Sequence, residues 1–220
     1  MEILIYVSKI TNRLFYIIEL ILKEELGINF KFTTDKDKYL SYEGPKLHYG
    51  KYPIEGENGL FQQSVNILFE RDIANQDVKI CKHNDTKAIF PVFNDKSIFS
   101  FDIFAASFYI ITRYEEYLPH VCDHYNRFQP QDSILCKMEV IEKPIINIWA
   151  KELGEIIKSK YPDIQLKKKT FKSSFLVFYF FSFNKSRISS NNLISAGVSG
   201  TTGAGASSTT TSSCFLVRAS

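Results

Sequence analysis

No aspartate or glutamate occurs after residue 170. All 24 acids lie in residues 1–170 with 23 of the 27 lysines and arginines, so that stretch has a net charge of −1. The overall +3 belongs to residues 171–220, whose only charges are Lys172, Lys185, Arg187 and Arg218. In residues 1–170 the two signs are interspersed, which provides no broad phosphate-binding surface and argues against nucleic acid as a partner. Lys167-Lys168-Lys169 is the one basic cluster and reads as a solvated boundary.

Cysteine is scarce as well. Cys81, Cys122, Cys136 and Cys214 include no pair at the two-residue spacing of a zinc or redox motif. Four scattered thiols do not make a disulfide framework, so reduced thiols and a cytoplasmic location are expected. Long apolar runs are missing too. Phe175 to Phe183 is the most apolar stretch, and it falls far short of the ~20 residues that a bilayer requires. Residues 14–22 are interrupted by Glu19. The opening Met1-Glu2 is acidic, and the run Ile3 to Val7 ends at Lys9, which does not suit a secretory signal. No membrane partner is expected.

What is present is an ordinary globular balance. The chain has 220 residues, 45% apolar, 23% charged and 15% aromatic, enough for one large domain or one domain with an appendage. Residues 3–7 are strand-like. Thr11 or Asn12 can cap a helix in which Leu14, Ile17, Ile18, Ile21 and Leu22 recur at helical spacing. Gly27 stands where a left-handed C-terminal residue is wanted. Ile28 to Thr33 alternates as a second strand. Strand, helix and strand in this compass make a βαβ unit with parallel strands.

A loop-rich stretch follows, punctuated by Gly44-Pro45, Pro53, Gly56 and Gly59. Leu47 to Tyr52, Val65 to Phe69, Ala88 to Phe93 and Ile98 to Phe101 read as further strands, with Pro91 demoting the third to an edge. Gly56-Glu57-Asn58-Gly59 lacks the Lys-Ser/Thr pair of a phosphate loop. Ser100 or Asp102 caps a second helix with Phe104, Phe108, Ile111, Tyr114 and Leu118 on its buried face, stopped by Pro119. Pro144 opens a third helix carrying Ile146, Trp149, Leu153, Ile156 and Ile157, and Pro162 ends it. Ile164 and Leu166 begin a strand. The expected architecture is α/β: a small mixed or parallel sheet flanked by helices over residues 1–170. Residues 171–220 hold thirteen Ser, five Thr and four Gly, and they are expected to be a low-complexity, disordered or frameshifted tail.

Three constellations invite a chemical reading. His120-Val121-Cys122-Asp123-His124 places two imidazoles four apart, a spacing that shares a face on a helix. Here it follows Pro119, so the face is lost, and a polar surface turn is the plainer reading. Arg113-Tyr114-Glu115-Glu116-Tyr117 places two acids in the last turn of the second helix, where the macrodipole favours cations. A local rule broken in this way can mark a functional site. Arg113, Glu115, Glu116 and Tyr117 are therefore the candidate binding residues. The competing reading is structural: Arg113 neutralises the acids, or a loop folds over them. His48, His83 and Ser64 are scattered and define no catalytic relay. The aromatic run Phe99 to Tyr109 reads as core.

Several runs in order resemble a known family. They are Ile3-Leu4-Ile5-Tyr6, Lys9-Ile10-Thr11-Asn12-Arg13, Phe32-Thr33-Thr34 and Leu40-Ser41-Tyr42-Glu43-Gly44-Pro45-Lys46. Phe99 to Tyr109, Arg113 to Leu118, Arg127-Phe128 and Lys143 to Trp149 continue the match. Over residues 1–170 they resemble the uncharacterised N-terminal domain of Bacteroidetes polysaccharide deacetylase-like proteins, which precedes a deacetylase barrel. The resemblance implies a barrel in which an Asp and two His hold a divalent metal and a second Asp acts as base. That barrel would open soon after Thr170, where this chain reads Phe171-Lys172-Ser173-Ser174 and has no further acid. Its metal is therefore expected only in a missing barrel, with no cofactor in this chain. His120 and His124 mimic the metal histidines but lie in the wrong domain, and the role is not carried over.

The leading expectation is a non-catalytic accessory module, inactive alone, that packs on the barrel in cis or positions a glycan. The second is a stand-alone structural or protein-interaction domain of a truncated gene. The third is an independent enzyme with its site near Arg113–Tyr117 and His120–His124.

Overall fold

A computed structural model describes residues 2–125 and 127–167. The expectations for residues 171–220, and Cys214 with them, lie outside those residues. The chain opens with strand β1 (Glu2–Tyr6), whose Ile3, Leu4 and Ile5 are all buried. A strand buried on both faces reads as a continuous apolar run, as this one does. Helix α1 (Asn12–Ile18) follows and widens into a π-type helix over Glu19–Glu25. Thr11 is its N-cap: the hydroxyl accepts from the Leu14 N–H at 3.2 Å and donates to the Leu68 carbonyl. Leu14, Ile17, Ile18, Ile21 and Leu22 are fully buried. Gly27, at φ +74°, turns the chain into β2 (Asn29–Thr33), which pairs parallel with β1.

Helix α2 (Lys36–Ser41), capped by Asp35, carries the chain back across the sheet to β3 (Lys46–Gly50) on the far side of β1. Strand β4 (Leu60–Gln63) then adds beside β3. The sheet order is β2-β1-β3-β4 and every pairing is parallel. Helices flank this sheet, so the α/β expectation holds in its parallel form. Buried Lys46 stitches α2 to the sheet. Its ammonium donates to the carbonyls of Tyr39, Leu40 and Tyr42, which the end of the helix leaves without partners.

The expected strand over Val65 to Phe69 is not one. The Val65 N–H goes to Asp102, the Phe69 N–H closes a turn on Asn66, and the Ile67 and Leu68 carbonyls accept from Arg13 and Thr11. Side chains have taken the groups a ladder would use. The expected strand over Ala88 to Phe93 is shorter. An antiparallel hairpin forms instead from β5 (Ile80–His83) and β6 (Thr86–Ile89). Phe90, at φ +62°, ends it before Pro91. Ile98 to Phe101 forms no strand either and contributes a single bridge, from Phe101 to Pro91.

Asp102 caps α3 (Ile103–Ile111), accepting from Phe104 N–H at 3.1 Å and Ala105 N–H at 3.0 Å. Every residue from Ile103 to Tyr109 is buried, as befits a helix that is apolar all round. It does not run to Pro119. Arg113 takes the left-handed conformation at φ +50°, and Tyr114–Tyr117 is a 3₁₀ turn. A short helix α4 (Ile134–Lys137) precedes α5 (Ile145–Lys160), which Pro144 introduces. Trp149, Leu153 and Ile157 are fully buried on its inner face, and Trp149 lies 4.9 Å from Phe101 ring to ring. The chain leaves α5 at Tyr161, just before Pro162. Residues 164–167 are not a strand; Lys167 N–H bonds to the Leu26 carbonyl instead. Among the described residues no helix is long and apolar enough to cross a membrane.

Candidate functional site

The four residues singled out in the sequence do share one turn. They are not the last turn of α3, because the left-handed Arg113 breaks the helix before them. The unfavourable pairing of acids with a helix C-terminus therefore does not arise. Glu115 faces the start of α4 instead. Its Oε1 accepts from the Ser133 hydroxyl at 3.0 Å and its Oε2 from the Ile134 N–H at 2.8 Å. A carboxylate at a helix start satisfies donors that the helix itself leaves unpaired. Glu116 forms an ion pair with Arg113. Tyr114 is buried, and its phenol both donates to the Ala74 carbonyl and accepts from the Ala74 N–H. Tyr117 is exposed. Three of the four candidates thus have structural partners; the side chains of Arg113 and Tyr117 are both exposed, Arg113 within its ion pair.

The His120–His124 stretch is a surface turn. Asp123 Oδ1 accepts from the backbone N–H groups of Tyr125 and Arg127, and its Oδ2 pairs with the Arg127 guanidinium. These bonds, the Arg127 backbone foremost, hold the carboxyl down at about 2. His120 donates from Nδ1 to the Leu118 carbonyl and rests on Phe128, while His124 lies against Tyr125. Among the described residues no group of three or more His, Cys, Asp and Glu is placed to hold a metal ion. The deacetylase metal centre does not fit these residues.

A different place gathers polar side chains from distant parts of the chain. The loop after β1 runs toward β2, and the loop after β3 runs toward β4. Adjacent strands whose exits diverge leave a crevice at their carboxyl ends, where open parallel sheets bind ligands. Such a crevice, about 530 Å³, is present. Ser8 and Lys9 reach it from the β1 exit, Lys36 from α2, Lys51 and Tyr52 from the β3 exit, and Ser64 from the β4 exit.

His48 lies in the wall of this crevice. Its Nδ1 is 2.9 Å from Glu57 Oε2, and Glu57 Oε1 accepts from the Ile54 N–H at 3.1 Å. Both side chains are buried. The other ring nitrogen, Nε2, lies beside Gly50. A Cβ at position 50 would stand 2.6 Å from that nitrogen, so glycine is what lets the strand end pass the ring. The Ser64 hydroxyl is buried and has no hydrogen-bond partner. It makes no hydrogen bond to His48, so no nucleophile and base are joined here.

Residues 3–162 match a family described as a family of unknown function, DUF7033. The chain belongs to that family. No curated protein and no solved structure matches the chain. The DUF7033 region takes in the parallel sheet but for Glu2, the crevice, the Arg113–Tyr117 turn and α5.

Sequence reasoning treated His48 and Ser64 as scattered, and the structure brings both to one crevice. The signal lay in topology. The crevice residues lie in or after the carboxyl ends of the strands, or on α2, and the order β2-β1-β3-β4 brings those ends together. His83 sits elsewhere, 2.7 Å from Glu152 on α5.

Proposed function

We propose that this chain is a non-catalytic accessory module of a polysaccharide deacetylase-like protein, packing on a deacetylase barrel in cis or positioning its glycan. One observation carries the reading. Along the loop beyond the Arg113–Glu116 pair, Tyr117, Val121 and Tyr125 are 66%, 73% and 67% exposed. Single exposed apolar side chains are ordinary. Three along one loop, which Asp123 and Glu115 brace, offer side chains suited to a partner or to the apolar face of a sugar ring. The run of residues that resembles the deacetylase-like proteins includes the turn from which this loop starts. In the intact protein the metal and its carboxylates belong to the barrel, and this module contributes contact and orientation.

The test is to resequence the gene from the codon for Leu166 through at least a kilobase downstream and read all three frames. A frame that continues with an acidic barrel strand and later histidines supports the reading. The barrel, expressed separately, should then bind this chain, and the Tyr117→Ser, Val121→Ser, Tyr125→Ser variant should weaken that binding. If nothing enzyme-like follows in any frame, the accessory reading falls and a stand-alone interaction domain takes its place.

A further inference from the structure

The crevice at the carboxyl edge of the sheet is electrostatically lopsided. Lys9, Lys36 and Lys51 line it, and no Asp or Glu does. None of the three ammonium groups has an ion-pair or hydrogen-bond partner among the described residues. Glu57, behind the crevice residue His48, is committed to that ring and to the Ile54 backbone. Three cations lining one concavity, with no acid in the lining, favour an anion there.

A second observation is independent of the lysines. Ser64 is 6% exposed, and its hydroxyl is buried without any partner. A buried hydroxyl without a bond is costly and uncommon. Ser64 lines the crevice, so its unpaired hydroxyl adjoins the space a ligand would take. Tyr52, 77% exposed, stands at the rim with its ring free to lie against a sugar face. The crevice volume falls in the ~300–1,000 Å³ range of small-molecule sites.

We propose that this crevice binds a small anionic sugar, one carrying a phosphate or a carboxylate group, with Lys9, Lys36 and Lys51 neutralising the anion, Ser64 donating a hydrogen bond and Tyr52 packing on the ring. The inference goes beyond the accessory reading and does not depend on it. A chain that never meets a deacetylase barrel would keep the site.

The full 220-residue chain is titrated calorimetrically with glucose 6-phosphate, glucuronate, glucose and inorganic phosphate. At least one of the two anionic sugars should bind, more weakly as salt rises, and which one binds tells phosphate from carboxylate recognition. Glucose should bind at least about tenfold more weakly than that sugar, and so should inorganic phosphate, which lacks the ring. The three lysines are exposed, so the triple variant Lys9→Gln, Lys36→Gln, Lys51→Gln should fold and lose about tenfold or more in affinity. Ser64→Ala should lose a few fold, and Lys143→Gln, outside the crevice, nothing. The proposal is overturned if neither anionic sugar binds, if glucose or inorganic phosphate binds as tightly, or if the triple variant binds unchanged.

Discussion

The Tyr49 phenol donates to Asp102 Oδ2 at 2.8 Å, inside the core, and joins the middle of the sheet to the first turn of α3. The same oxygen accepts from the Val65 N–H at 2.7 Å, while Oδ1 caps the helix through Phe104 and Ala105. One buried carboxylate thus holds three segments, one of which carries Ser64 and Asn66 to the crevice. Asp102→Asn keeps the shape but turns one acceptor oxygen into an amide donor that faces other donors. It should lower unfolding stability by roughly 2–4 kcal/mol, read by urea denaturation. An unchanged denaturation midpoint would show that the four bonds contribute nothing net.

The same carboxylate sets a pH dependence. Burial pushes Asp102 up to about 6, against four hydrogen bonds that favour its charged form. Its folded value lies above its ordinary value of 3.8, so between the two the folded state binds more protons than the unfolded state. Stability from this group is therefore greatest below about 4 and declines as pH rises to about 6, by a total on the order of 3 kcal/mol. Comparing the stability of the wild type with that of Asp102→Asn at several pH values between 4 and 7 isolates the contribution. A difference that grows in favour of the wild type as pH rises would contradict it.

Glu115 and Glu116 are neighbours in sequence with opposite fates. Glu115→Ala removes the acceptor for Ser133 and Ile134 and should release α4, lowering hydrogen-exchange protection over Ile134–Lys137 and costing roughly 1–2 kcal/mol. Glu116→Ala breaks only its ion pair with Arg113 at the surface and should cost under about 0.5 kcal/mol. Equal protection in both variants would return Glu115 to the list of candidate ligand-binding groups.

Gly27 belongs to the part of the fold that is legible in the sequence. A glycine directly after an apolar helical stripe signals a left-handed residue, and φ is +74°. A Cβ there would also stand 2.7 Å from Lys167 Cβ. Gly27→Ala should cost about 1–2 kcal/mol or more, measured as a lower Tm.

Much of the local structure is legible in the sequence. The cap at Thr11, the cap at Asp102, the breaks near Pro144 and Pro162, and the parallel βαβ opening all depend on residues a few positions apart. Much of the rest depends on partners far along the chain. Val65 to Phe69 has a strand's composition, but Thr11, Arg13 and Asp102 occupy its backbone groups, and no local pattern shows that. The end of α3 was misplaced because Tyr114 and Leu118 continue the helical spacing, while Arg113 turns left-handed. The aromatic contacts around Tyr114 accompany that turn: its ring lies 5.3 Å from Tyr109 and 6.4 Å from Phe108. The crevice was invisible for a related reason: its residues converge only through strand order.

Lys46 tests how the sheet holds α2. A buried lysine is uncommon, and this one is tolerated because its ammonium meets three carbonyls, of Tyr39 at 3.2 Å, Leu40 at 3.1 Å and Tyr42 at 2.7 Å, and lies 5.3 Å from the Tyr39 ring centre. Lys46→Met matches the length of the apolar stem and removes the donor. The three carbonyls then lose their partner at the end of a six-residue helix that has little stability of its own. The loss should be about 2–4 kcal/mol. It should also be localised. Amide exchange over Lys36–Ser41 should speed up, while β1 and β2, whose backbone bonds do not involve the Lys46 side chain, keep their protection until global unfolding. Lys36 lies at the start of α2 and lines the crevice, so a loosened helix should also weaken binding of an anionic sugar without any change at Lys9 or Lys51. A Lys46→Met protein with native exchange over α2 would mean that packing of Tyr39, and not the ammonium, holds the helix in place.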